Sequence, residues 1–94
     1  MALFVVMAFS DTVTQVAAKV QQKFPNDFYQ IEPGKWFVSS ALVTAKQVSD
    51  DLEITVPDDT NATTRGVVVA VRGYYGRGPR DMWEWVAAKE KGSA

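Results

Sequence analysis

The chain opens on an unbroken apolar run, Ala2-Leu-Phe-Val-Val-Met-Ala-Phe9. Eight apolar residues without polar alternation predict a central strand, covered on at least one face by helices. Ser10-Asp11-Thr12 then offers N-cap chemistry. Val13, Val16, Ala17, Val20 and Phe24 follow at i, i+3, i+4, i+7 and i+11, one apolar stripe at helical spacing. Lys19, Gln21, Gln22 and Lys23 lie off the stripe, and Pro25-Asn26 ends it.

Asp27-Phe-Tyr-Gln-Ile31 and Lys35-Trp-Phe-Val-Ser-Ser40 flank Glu32-Pro33-Gly34. Pro followed by Gly suits the two central positions of a type II turn, so this region reads as a β-hairpin. Thr44-Ala-Lys-Gln47 has the spacing of a capping box, and Ala45, Val48 and Leu52 supply the buried face of a second short helix. Residues 57–64 are polar and turn-rich and read as a surface loop. Val67-Val-Val-Ala-Val71 is a β-branched strand. Pro79 suits the first position of a third helix, with Asp81 in its first turn and Lys89, Lys91 and Gly92 marking its end. The order β-α-β-β-α-β plus a terminal helix predicts one α+β domain over residues 1–94, a ferredoxin-like βαββαβ sandwich with a C-terminal extension over 79–94. Such a fold leaves one sheet face bare unless the extra helix or a partner covers it, and a bare apolar face is an association surface.

Composition narrows the chemistry. The chain of 94 residues is 47% hydrophobic and 22% charged with a formal net charge of −1, so it is globular and has no global field for holding phosphates. It contains neither cysteine nor histidine. Disulfides, thiolate nucleophiles, His-dependent triads and the common zinc ligands are therefore excluded. The first nine residues lack the basic flank and the length of a secretory signal, and no apolar run approaches the ~20 residues of a membrane span. A cytoplasmic protein without a membrane partner is expected, and its small size favours a homodimer.

Chemistry-bearing residues concentrate in Val71-Arg-Gly-Tyr-Tyr-Gly-Arg-Gly-Pro-Arg-Asp-Met-Trp-Glu-Trp85, which holds three of the four arginines. Three readings stand side by side. Arg72, Arg77 and Arg80 can clamp phosphates while Tyr74 or Tyr75 stacks on bases, which is a nucleic-acid module for RNA or DNA. The segment can be a strand-to-helix connector, with Gly73, Gly76 and Gly78 at positive φ and Trp83, Val86 and Ala87 docking the helix. Or Val71, Gly73, Tyr74 and Tyr75, with Trp83, form a dimer interface by edge pairing with a second protomer. The glycine spacing is not that of a P-loop.

Other candidates are weaker. Asp50-Asp51 with Glu53 are adjacent carboxylates that point about 100° apart on a helix, which suits a solvated face better than one ion. Asp58-Asp59 lacks the ligand alternation of a calcium loop. Trp36 with Phe28, Tyr29 and Phe37 suggests a base-stacking sheet, but alternation sends half of these rings into the core.

Lys35-Trp36-Phe37-Val38-Ser39-Ser40, then Leu42-Val43-Thr44-Ala45-Lys46-Gln47-Val48-Ser49-Asp50, with Trp83-Glu84-Trp85-Val86 after the last strand, resembles the small SinR-like proteins. These are similar in turn to the CRISPR-associated endoribonuclease family, the small dimeric subunit of the spacer-integration complex. The resemblance implies a ferredoxin-like fold, a homodimer and a phage-defence, mobile-element or toxin–antitoxin context. Those relatives carry an Asp at the end of the first strand, where two copies can hold a divalent metal. Phe9 occupies that position here, and the nearest carboxylate is Asp11. The expectation is a non-enzymatic interaction or regulatory protein without a cofactor. The alternative is a nuclease with Asp11 as catalytic and metal-binding residue for Mg²⁺; helix capping by Ser10 or Asp11 is the plainer role.

Overall fold

The apolar opening becomes strand β1 (Ala2–Ala8), which lies between two neighbours inside a four-stranded sheet. The structure is a computed structural model and describes residues 2–55 and 64–92, with side chains through residue 89. After β1 come α1 (Val13–Lys23), β2 (Phe28–Glu32), β3 (Lys35–Ser40), α2 (Ala45–Asp51), β4 (Gly66–Ala70) and α3 (Arg80–Gly92). The sheet order is β2-β3-β1-β4 and every pairing is antiparallel, giving an α+β fold of one sheet and three helices. No helix among the described residues is long and apolar enough to cross a membrane.

Alternation along β1 explains why its run is apolar throughout. Phe4 and Val6 are fully buried with Trp36 and Val38 of β3, under Val16, Val20 and Phe24 from the first helical segment and Val48 and Leu52 from the second. Leu3 and Val5 point to the opposite face, where they pack with Phe37 against Met82 and Val86 of α3. Both faces of β1 are therefore covered, and neither can present polar side chains without loss of burial. The terminal helix takes the face that a two-helix sandwich would leave bare.

Local chemistry fits the elements. The Pro33-Gly34 turn closes the hairpin with Gly34 at φ +91°, the left-handed value a type II turn demands. Thr44 and Gln47 form the full capping box: Gln47 N–H donates to Thr44 Oγ1 at 3.1 Å, and Thr44 N–H donates to Gln47 Oε1 at 3.0 Å. Pro79 falls one residue ahead of α3, and its carbonyl accepts from Met82 N–H at 3.2 Å.

The start of α1 differs from expectation. Neither Ser10 nor Asp11 caps the helix through its side chain; residues 10–12 form a 3₁₀ turn instead. Phe9 N–H is held by Arg65 C=O at 3.1 Å, so the ladder between β1 and β4 runs one residue past the strand and a tight turn must follow. Thr12 is buried there, and its hydroxyl donates to Arg65 C=O at 2.8 Å, tying the helix start to the start of β4. The expected loop over 57–64 lies outside the described residues except for Thr64, which is buried with its hydroxyl donating to Glu53 C=O.

Two substitutions check this account. Phe4→Ala removes a fully buried ring and is expected to cost about 3–5 kcal/mol in denaturant unfolding, a large share of a small domain's margin. Thr44→Ala removes one half of the capping box and is expected to cost about 1 kcal/mol with the midpoint shifted and the slope unchanged.

Candidate functional site

β4 and the segment after it bring together most of the residues that the sequence singled out. Val71 N–H donates to Leu3 C=O at 2.9 Å, so Val71 extends the pairing with β1 within the chain. Beyond it the chain leaves the sheet, and every residue from Arg72 to Asp81 is exposed. Tyr74 turns back and stacks on Trp83, with centroids 5.8 Å apart and planes at 18°. Tyr75 is fully exposed. Gly34 is the one glycine among the described residues at positive φ, so Gly73, Gly76 and Gly78 do not serve the left-handed role expected of a connector. Gly66 is constrained differently: a Cβ there would sit 2.4 Å from Met7 C=O, so only glycine lets β4 begin this close to β1.

The three arginines of the segment separate. Arg80 Nε donates to Glu84 Oε1 at 3.1 Å across one helical turn, an exposed pair of small energetic weight. Arg72 and Arg77 make no ion pair among the described residues. The docking stripe of α3 is also shifted from expectation. Met82 and Val86 are buried, Ala87 is exposed, and Trp85 lies over Phe37 and Tyr29 at 6.4 and 6.1 Å. The stripe is thus 82, 85, 86 and 89 at helical spacing, while Trp83 sits on its flank under Tyr74.

That docking decides the fate of the aromatic sheet. Trp36 and Phe28 pack toward α1 and α2. Phe37 and Tyr29 pack under α3, and Tyr29 O–H donates to Asp81 Oδ2 at 2.9 Å. The rings that suggested a base-stacking platform are in contact with protein on both faces.

The carboxylates are distributed rather than gathered. Asp11 is exposed and pairs with Arg65, whose guanidinium also lies 5.9 Å from the ring of Phe9. Asp50 accepts from Lys46 Nζ at 2.7 Å and from Thr55; the Lys46 hydrogen bond, then the Thr55 one, holds its carboxyl below the usual range. Glu53 pairs with Lys19, whose hydrogen bond and charge lower it likewise. Among the described residues no three Asp or Glu side chains converge on a point where a metal ion could sit. Asp58-Asp59 lies outside the described residues.

Among the contacts that escaped the sequence are Arg65 with Asp11, Tyr29 with Asp81, Lys89 Nζ with Asp27 Oδ1 at 2.7 Å, and Lys89 over Trp85 at 5.7 Å. The first three join residues more than fifty positions apart, and no local spacing signals them.

No protein-family model matches the chain, and no curated protein and no solved structure matches it.

The titrating pairs set an expected pH response at both ends. Asp50 and Glu53 are lowered in the folded state, so their stabilisation is complete above the ordinary carboxylate range, from about pH 5 upward, and is lost as pH falls through the lowered values. Tyr29 is raised by its hydrogen bond to Asp81, so its contribution is complete below about pH 10 and is lost as pH rises through the raised value. Thermal melts across pH should show both losses, and Tyr29→Phe should remove the alkaline one alone.

Proposed function

We propose that this chain is a small non-enzymatic interaction protein that works as a homodimer on a ferredoxin-like scaffold. The element order, the strand order β2-β3-β1-β4 and the packing of α1 and α2 on one face support that scaffold. One observation carries the interaction reading. β4 is an outer strand with no charged residue in Gly66–Ala70, and its Val67 and Val69 stand 45% and 44% exposed. Uncharged edges without a bulge or proline are what soluble proteins avoid unless something pairs with them. A phage-defence or mobile-element setting follows from the resemblance to SinR-like proteins. Light scattering of dilute protein should give about twice the 10.4 kDa chain mass, and a strict monomer rejects the homodimer.

A nucleic-acid reading of the same region is favoured by the exposure of Arg72, Arg77 and Tyr75. It expects single-stranded RNA or DNA to bind with affinity that falls with salt, and Arg72→Ala or Arg77→Ala to reduce the slope of log K against log salt by about 0.7 each. Salt-insensitive or absent binding in a filter or anisotropy titration rejects it. Asp11 as a Mg²⁺ ligand of a nuclease would first have to give up Arg65.

A further inference from the structure

The backbone of β4 states how a second copy would fit. In an antiparallel pair, residues that exchange both hydrogen bonds with the neighbour alternate with residues that turn both groups away. Val71 N–H bonds to Leu3 C=O and Phe9 N–H to Arg65 C=O, and the register sets Val69 opposite Val5 and Val67 opposite Met7. The odd-numbered residues of β4 therefore spend their N–H and C=O groups on β1. Gly66, Val68 and Ala70 direct theirs to the open side.

We infer that β4 pairs antiparallel with β4 of a second copy about a twofold axis at Val68, joining two four-stranded sheets into one of eight. This rests on the homodimer reading and adds its register. A twofold axis perpendicular to the sheet keeps each residue on its own face, so even-numbered residues must meet even-numbered ones. With Val68 opposite itself, Gly66 meets Ala70 of the partner subunit, and the whole strand overlaps its mate. All three outward N–H and all three outward C=O groups of each copy then find partners. A shift of two residues leaves one end of each strand without its counterpart.

The side chains agree with this register. Val67 comes opposite Val69 of the partner subunit in a pair without direct hydrogen bonds, where Cα atoms approach to about 4.5 Å and side chains are closest. These are the two half-exposed valines of the strand. Arg72 comes opposite Thr64 of the partner subunit, so the two Arg72 side chains stand about 26 Å apart at ~3.3 Å per residue and no like charges face each other.

The other outer strand has the protections that β4 lacks. β2 carries a register shift between Gln30 and Glu32, a Glu32–Lys35 ion pair at 3.3 Å, and Pro33 immediately after it. Bulges, charges and proline are the usual means of blocking edge pairing. The pairing of β4 with β1 runs from Gly66 to Ala70 without interruption. Among the described residues one edge is blunted and one is left open.

The absence of cysteine makes the register directly testable. Val67→Cys and Val69→Cys are made separately, one carrying a mass tag, and mixed under mild oxidation after circular dichroism confirms that both fold. The expected product is the mixed disulfide, in at least tenfold excess over either homodisulfide. Identical positions would lie about 8 Å apart across the axis, beyond disulfide reach. A protein that is dimeric by light scattering yet yields no excess of the mixed disulfide overturns this register and leaves the homodimer standing. A monomer overturns both. Amide exchange of the unmodified protein gives a second reading: the N–H groups of Gly66, Val68 and Ala70 should exchange at least about tenfold more slowly at high concentration than after dilution to monomer. Exchange independent of concentration in a dimeric sample also overturns the proposed pairing.

Discussion

Phe4 and Val6 on one side of β1, and Leu3 and Val5 on the other, bind three helices to a single strand. Each helix is short: α1 has eleven residues, α2 seven and α3 thirteen. Isolated helices of that length are marginal in water. They persist here because apolar side chains on both faces of β1 and β3 give each helix something to cover. The burial of β1 is therefore the condition on which the helices, and through them the segment from Arg72 to Pro79, depend.

Covering the second face has a consequence for chemistry. A sheet with Tyr29 and Phe37 on an open face would be suited to stacking against planar ligands. With Trp85, Met82 and Val86 laid over them, those rings contribute to stability instead. Surface chemistry is displaced to where α3 does not reach, the outer edge of β4 and the exposed segment that follows. Tyr74 anchors that segment, because its stack on Trp83 holds it against the helix it leads into.

The charged side chains act mainly as fasteners. Asp11 with Arg65 and Thr12 with the Arg65 backbone hold the end of β1 to the beginning of β4. Lys89 with Asp27, and Tyr29 with Asp81, pin the two ends of α3 to the β2 region. Apart from the buried Thr12 hydroxyl, these side chains are exposed or partly exposed and their contacts are individually modest in energy. Their value lies in orientation: a helix resting on a flat apolar face can slide, and polar contacts at both ends fix its position.

The linear chain by itself determined the elements. Helical periodicity marked α1, continuous apolar and β-branched runs marked β1 and β4, Pro79 and Asp81 marked the start of α3, Pro33-Gly34 marked the hairpin, and Thr44 with Gln47 marked the start of α2, because each signal is carried by residues close together in the chain. Continuous apolarity also foretold that β1 is covered by helices. Only the tertiary structure decided the rest. Asp11 became an ion-pair partner of Arg65 rather than a helix cap, since a residue fifty-four positions away reaches it first. Trp85 rather than Trp83 became the centre of the α3 contact, since the helix rotates to place Met82 and Val86 on the sheet. Which edge of the sheet stays open is likewise a matter of strand order, and strand order is fixed by how the helices pack on the faces rather than by any local run of residues.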